Sequence, residues 1–229
     1  MSSIFCAGVI LVTLIWLTPY FDRLPHAALA AIIIMSVADI IDFSPIYAHW
    51  KFYRHDTYTH VITLITVLAF SVETGLLVGI LVAVALFVRR SSKPHLAVVG
   101  RIGESPHFRS RRRHEVTTHP DVVAVRVDEN LYFANANDVE NRLLKVLLRA
   151  PESRHLLLVC SAVNFIDTSG LDMLLRLNRN LERNGIRLHL SEVKAPVMDQ
   201  LRASELLDAL TGSVFFTTDQ AMRDLTERT

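Results

Sequence analysis

The sequence predicts a membrane α-helical segment of about four transmembrane helices, followed by a soluble α/β domain with a mixed sheet. Three observations carry this. Four uncharged apolar runs, at residues 1–21, 24–38, 57–72 and 74–88, crowd the first ninety positions. Beyond them, short β-branched runs alternate with amphipathic helical patterns. The charge divides the same way: residues 1–88 carry three basic and five acidic side chains, and residues 89–229 carry 21 and 18. The net charge of +1 averages two unlike halves and identifies no partner. The first half has to satisfy its backbone in lipid and the second in water.

The first run has the roughly 20 apolar residues that a membrane crossing needs. The other three hold 15 or 16 residues, a length tolerated in a packed bundle where the bilayer adapts. Ala28-Leu29-Ala30 has the look of a signal cleavage site. However, no Lys or Arg precedes the first run and three more apolar runs follow, so a retained membrane segment is expected. Pro25 suits the opening of the second helix, and Asp39 and Asp42 end it. Residues 43–56 mix aromatic and basic side chains, as a headgroup-level segment does. Glu73, Thr74 and Gly75 separate the third run from the fourth, giving either a tight helical hairpin or one broken element. Gly75 and Gly79 are expected in helix packing.

Between Arg89 and Arg113 there are eight basic residues and one acid, Glu104. The positive-inside rule makes this flank cytoplasmic and places Glu73 outside. The cluster Arg109, Arg111, Arg112, Arg113 and His114 reads as a solvated linker near an anionic lipid surface. Nucleic acid is not the expected partner, because no aromatic interleaving or recognition helix accompanies the charge.

In the soluble half, Val122–Val127 reads as a strand and residues 131–134 as a second, short one. Asn137 or Asp138 can cap a helix running to about Arg149. Residues 155–160 form a continuous apolar strand, covered on both faces. The next helix has Leu171, Leu174, Leu175 and Leu181 on one face and Gly185 at its C-cap. Ile186, Leu188 and Leu190 alternate with Arg187 and His189, which predicts a strand with one wetter face. A helix from Pro196, a strand near Val214 and a helix from Asp219 complete the domain.

Two cysteines, Cys6 and Cys160, lie in apolar runs and read as buried small hydrophobes. The ten histidines form no triad or ligand set. Ser169 lacks a nucleophile elbow, and no phosphate-binding glycine loop or zinc spacing occurs. The sequence thus points to no enzyme, no catalytic residue, no metal and no cofactor.

Asp167-Thr168-Ser169-Gly170-Leu171 follows a buried strand and opens an amphipathic helix. Ahead of it lies Val127-Asp128-Glu129-Asn130-Leu131-Tyr132-Phe133-Ala134-Asn135-Ala136. Both resemble the STAS domain at the C-terminus of SulP (sulfate permease) family anion transporters. The apolar half agrees. Leu24-Pro25-His26-Ala27-Ala28-Leu29-Ala30-Ala31 resembles a late membrane helix of that family. Glu73-Thr74-Gly75-Leu76-Leu77-Val78-Gly79-Ile80 and Arg90-Ser91-Ser92-Lys93-Pro94 resemble its last helix and exit.

The resemblance implies residues 1–90 as the last transmembrane helices, 91–120 as a basic linker and 121–229 as a cytoplasmic STAS domain. It implies a portion of a secondary anion transporter of the sulfate or bicarbonate type, multi-pass in the cell membrane. Family members have about fourteen membrane segments in two inverted repeats. The anion-binding helices are therefore expected outside this chain, which would be a C-terminal piece incomplete for transport by itself. Membrane lipids, the anion, a second copy or a missing transporter half, and a regulatory protein at the STAS domain are the implied partners. Asp167, Thr168, Ser169 and Gly170 form the candidate regulatory turn, with Thr168 at the position phosphorylated in free-standing STAS proteins. The alternative is a membrane-tethered STAS interaction module of the anti-sigma-factor-antagonist type.

Overall fold

The structure is a computed structural model that describes residues 2–17, 26–38 and 54–227. It divides into two compact units, residues 1–79 and 80–229. Of the headgroup-level stretch expected at 43–56, residues 43–53 lie outside the described residues, as do Asp39 and Asp42, and residues 54–56 are helical.

In the first unit, α1 (Ser2–Val12) passes into a π-helical turn (Thr13–Leu17). α2 (His26–Ala38) and α3 (Arg54–Ala69) follow, and α4 (Val72–Ser91) crosses from the first unit into the second. Ser71 caps α4, its Oγ accepting from the Thr74 N–H at 3.2 Å. The chain therefore breaks at Phe70 and Ser71, one turn earlier than the sequence suggests, and Gly75 falls inside the helix. A tight hairpin is the outcome. A Cβ on Gly75 would lie 2.8 Å from the Val67 backbone nitrogen, and one on Gly79 would lie 2.5 Å from Thr63 Oγ1. Only hydrogen at these two positions lets α4 pack this closely on α3.

Among the described residues, α4 alone is long and apolar enough to cross a membrane. The other apolar helices are shorter, at Ile4–Trp16, Ala27–Ser36 and Thr57–Ala69. Twenty residues span about 30 Å, the thickness of a hydrocarbon core. Leu76, Leu77, Leu81 and Phe87 expose more than half of their surface. A helix apolar on all sides finds a compatible solvent in lipid.

The second unit holds a six-stranded mixed sheet in the order β2-β1-β3-β4-β5-β6. Its strands are β1 (Leu96–Arg101), β2 (Phe108–Ser110), β3 (Val122–Val127), β4 (His155–Val159), β5 (Arg187–Ser191) and β6 (Val214–Phe215). β1 is antiparallel to β2 and β3, and β3 to β6 run parallel. α5 (Ala136–Leu147) and α6 (Thr168–Arg183) are the crossovers, and α7 (Ala195–Arg202), α8 (Leu206–Ala209) and α9 (Thr218–Glu227) complete the domain. Val123, Val125, Leu156 and Leu158 face a core with Val139, Leu143, Leu174 and Leu177. The opposite face buries Val122, Ala124, Leu157 and Val159 with Ala221 and Leu225 of α9. Gly185, at φ +71°, ends α6 as expected, and the Ile186 N–H reaches back to the Leu181 carbonyl.

Several expectations change. The stretch 91–120 is more than a linker: it supplies β1, which covers the open edge of β3, and β2, which pairs with β1. Residues 131–134 do not form a strand. Leu131 makes a single bridge to Ile166, and the chain then turns. The N-cap of α5 is Asn135, ahead of Asn137 and Asp138. The face of β5 expected to be wet is dry at His189, which is 3% exposed and packs on His155 and Phe215. Cys160 is buried, and burial pushes its thiol up to about 12, whereas Cys6 is exposed on α1.

The strand edge sets the limits of a soluble fragment. Residues 92–229 expressed alone should be monomeric and folded. Residues 115–229 lack β1 and leave the apolar β3 as an open edge, so they should aggregate. Circular dichroism and size-exclusion chromatography of the two fragments check this.

Candidate functional site

The candidate turn stands where β4 gives way to α6. Asp167 is the N-cap of α6, with extended backbone (φ −96°, ψ 179°). One carboxylate oxygen accepts from the Gly170 N–H at 2.8 Å, and the other from the Phe133 N–H at 2.8 Å. The same side chain thus caps a helix and clasps a second loop. Gly170 is required by that clasp, since a Cβ there would lie 2.7 Å from the Leu131 carbonyl oxygen.

The second loop, residues 130–135, is held from several sides. Asn130 Oδ1 accepts from the Asn164 N–H at 2.8 Å and the Phe165 N–H at 3.1 Å. The Asn135 side chain is fully buried. Its Oδ1 accepts from the Tyr132 N–H at 3.1 Å, and its Nδ2 donates to the Asn130 carbonyl at 2.7 Å. This inward use of Asn135 explains why 131–134 turns instead of extending. Loops 130–135 and 164–170 therefore form one rigid surface.

On that surface Thr168 is exposed and Ser169 half-buried. Neither hydroxyl has a hydrogen-bond partner among the described residues, so both are available to a partner. Phe133, 70% exposed, and Phe165, 49% exposed, flank the turn. The free N–H groups and dipole of the helix start favour negative charge beside Thr168. Asp167 and Gly170 serve geometry, and Thr168 and Ser169 face outward. No group of three or more His, Cys, Asp or Glu able to hold a metal occurs among the described residues.

The loop also ties to the end of the long apolar helix. The Tyr132 hydroxyl hydrogen-bonds Ser91 Oγ, Asn135 Nδ2 donates to the Ser91 carbonyl at 3.4 Å, and Arg142 Nη1 donates to the Pro94 carbonyl. Asp167 is thus linked to the exit of α4 through a single loop. Sequence reasoning missed Asn130, Tyr132, Phe133, Asn135 and Phe165. The paired asparagines at 130 and 135 were the available turn signal.

An apolar segment with four helices among the described residues, joined to a mixed α/β sheet with a capped turn presented at one end, defines a membrane protein carrying a STAS-type domain. Comparison with known proteins agrees. Residues 1–63 match the sulfate permease family and residues 113–221 match the STAS domain. The chain is 32% identical to Sulfate transporter 1.3 of Arabidopsis thaliana over 95% of its own length and 35% of that protein. It is 30% identical to High affinity sulfate transporter 2 of Stylosanthes hamata, over 95% and 34%. The solved structure of the murine Solute Carrier 26 family member A9 anion transporter, in the inward-facing state, shares the fold. Its TM-score is 0.79 at 19% identity, over 95% of this chain and 36% of that one.

The chain belongs to the sulfate permease family and comprises a membrane portion and the STAS domain of that family. It spans about a third of the length of the curated relatives it matches.

Proposed function

We propose that this chain is part of a secondary anion transporter of the sulfate or bicarbonate type, multi-pass in the cell membrane, with its STAS domain in the cytoplasm as a regulatory module. The observation that carries this is the continuity of α4 with the domain: a 20-residue apolar helix leads through Arg89, Arg90 and Lys93 into β1. The basic exit supports a cytoplasmic domain by the positive-inside rule. The helical segment ends near Ser91 and the domain begins at β1. The anion site is assigned to membrane helices that the longer relatives have beyond this third of their length. A second copy, or the rest of the transporter, supplies the remaining bundle.

Sulfate uptake into proteoliposomes tests the reading. The chain alone should transport nothing above empty vesicles. Joined to the rest of a sulfate transporter of this family, it should restore uptake, and Thr168→Glu should change the rate without changing the amount inserted. Uptake by the joined protein that is indifferent to deletion of residues 92–229 would remove the regulatory role.

The second reading, a tethered module that binds a regulatory protein without transport, draws on Phe133 and Phe165. Two exposed aromatics beside free hydroxyls fit a protein contact. The joined protein failing to transport, while the chain still captures a partner through this turn, would favour it.

A further inference from the structure

A trough lies beside α5, away from the turn. α5 covers β3 and β4 but leaves the same face of β1 partly open, so Leu96 and Val98 remain half-buried. The resulting groove measures about 650 Å³. Val98, Val123, Val146 and Ala150 are among its apolar lining residues. Arg111 and Arg112 line it from the end of β2, and Arg149 from the end of α5. A second hollow of about 220 Å³ shares Leu96, Val98, Val146 and Arg149 and adds Arg142 and Lys145.

The charge is one-sided. No Asp or Glu lines either hollow. His95 and His119 face acids outside the groove, Asp128 at 2.7 Å and Asp121 at 3.6 Å, and Arg142 is 3.4 Å from Asp138. Arg111, Arg112, Arg149 and Lys145 have no ion-pair partner among the described residues. The floor is apolar and no Phe, Tyr or Trp lines the groove, which suits neither a fully hydrated small anion nor a stacked nucleobase. It suits a molecule with a phosphate at one end and hydrocarbon at the other.

The site's position narrows the source. Leu96 stands five residues beyond Ser91, at most about 17 Å of extended chain. The Arg142 bond to the Pro94 carbonyl holds that connection against α5. We propose that this groove binds the headgroup and glycerol region of an anionic phospholipid from the leaflet that α4 enters, with Arg111, Arg112 and Arg149 on the phosphate. The inference rests on the membrane-anchored reading above. It assigns the STAS domain a lipid contact separate from the Asp167 turn.

The full chain, in a neutral detergent, is titrated calorimetrically with dioctanoyl-phosphatidylglycerol, dioctanoyl-phosphatidylcholine and inorganic phosphate. Phosphatidylglycerol should bind and the other two should not compete with it. Each arginine replaced by glutamine should weaken binding about fivefold, and the triple variant about a hundredfold. Arg183→Gln with Arg202→Gln, away from the groove, should change nothing. The single variants keep the measurement readable if the triple variant loses its fold. Equal binding of both lipids, or undiminished binding by the variants, overturns the proposal. Phosphate binding as tightly as the lipid assigns the groove to a free anion and overturns it too. Carbonate extraction of membranes from cells expressing the chain separates the two failures. A chain released to the supernatant refutes the membrane reading itself. A retained chain that is blind to lipid charge refutes the groove alone.

Discussion

Leu174→Asp should unfold the STAS domain, and Thr168→Glu, six positions earlier on the same helix, should leave it folded. Leu174 is 2% exposed and belongs to the main core between the sheet and α5 and α6. A carboxylate there has no cation within the core and costs about 3–5 kcal/mol, a large part of a domain's total stability. Thr168 is exposed at the first position of α6, with no acidic residue in that first turn. A negative charge there meets the positive end of the helix and contributes about 0.3–1 kcal/mol of stabilisation. Thermal melts of residues 92–229 carrying each substitution check this. If Thr168→Glu melts the domain as far as Leu174→Asp does, the turn is core and the regulatory reading is lost.

The contrast rests on a feature the sequence displays well. A buried strand, a polar Asp-Thr-Ser-Gly turn and a 3.6-residue leucine pattern locate α6, because capping and periodicity are local signals. β3, β4 and the C-cap at Gly185 are legible for the same reason. β1 was not. Residues 96–101 follow a basic exit and precede an arginine cluster, and nothing local distinguishes a strand that exists because β3 needs an antiparallel neighbour. The loop at 131–134 failed in the other direction. Leu131, Tyr132 and Phe133 have strand propensity, but the Asn135 side chain folds inward and satisfies the Tyr132 N–H, so a turn wins. The outward-facing residues of the candidate turn were readable, whereas the Asn130 and Phe133 contacts that hold it come from 34 positions away.

His189 misled the alternation rule most, and it carries the other large expected effect. Its ring lies between His155 and Phe215, with ring centroids 5.1 and 5.8 Å away. Nδ1 accepts from the Ser213 N–H at 3.0 Å, so the neutral ring carries its proton on Nε2 and donates it to His155 Nδ1 at 3.0 Å. The pair has no room for another proton, because a second N–H would face the first. Burial, then the neighbouring His155 and Arg187, push His189 down to about 4. Burial also lowers His155, and Arg187 and Arg154 lower it further, while Asp121 pulls it upward. The unfolded chain takes up these protons near pH 6.5, before the native state does. Stability contributed by the neutral pair is therefore complete at neutral pH, declines as the pH falls below about 6.5, and is lost through about pH 4. The Arg126–Asp128 pair acts in a separate window. Burial opposes the Asp128 carboxylate, but hydrogen bonds from Arg126 and His95 prevail and hold it below its usual value of 3.8. Its contribution is lost only at still lower pH. The melting temperature of residues 92–229 should fall between pH 7 and pH 4.5, with the β4–β5–β6 end loosening first. His189→Asn keeps an acceptor for the Ser213 N–H and has no proton to gain. This variant should be less stable at pH 7, through lost ring packing, but should lose much less on acidification. If the wild-type and His189→Asn curves run parallel from pH 7 to 4.5, the histidine pair is not the source of the acid sensitivity.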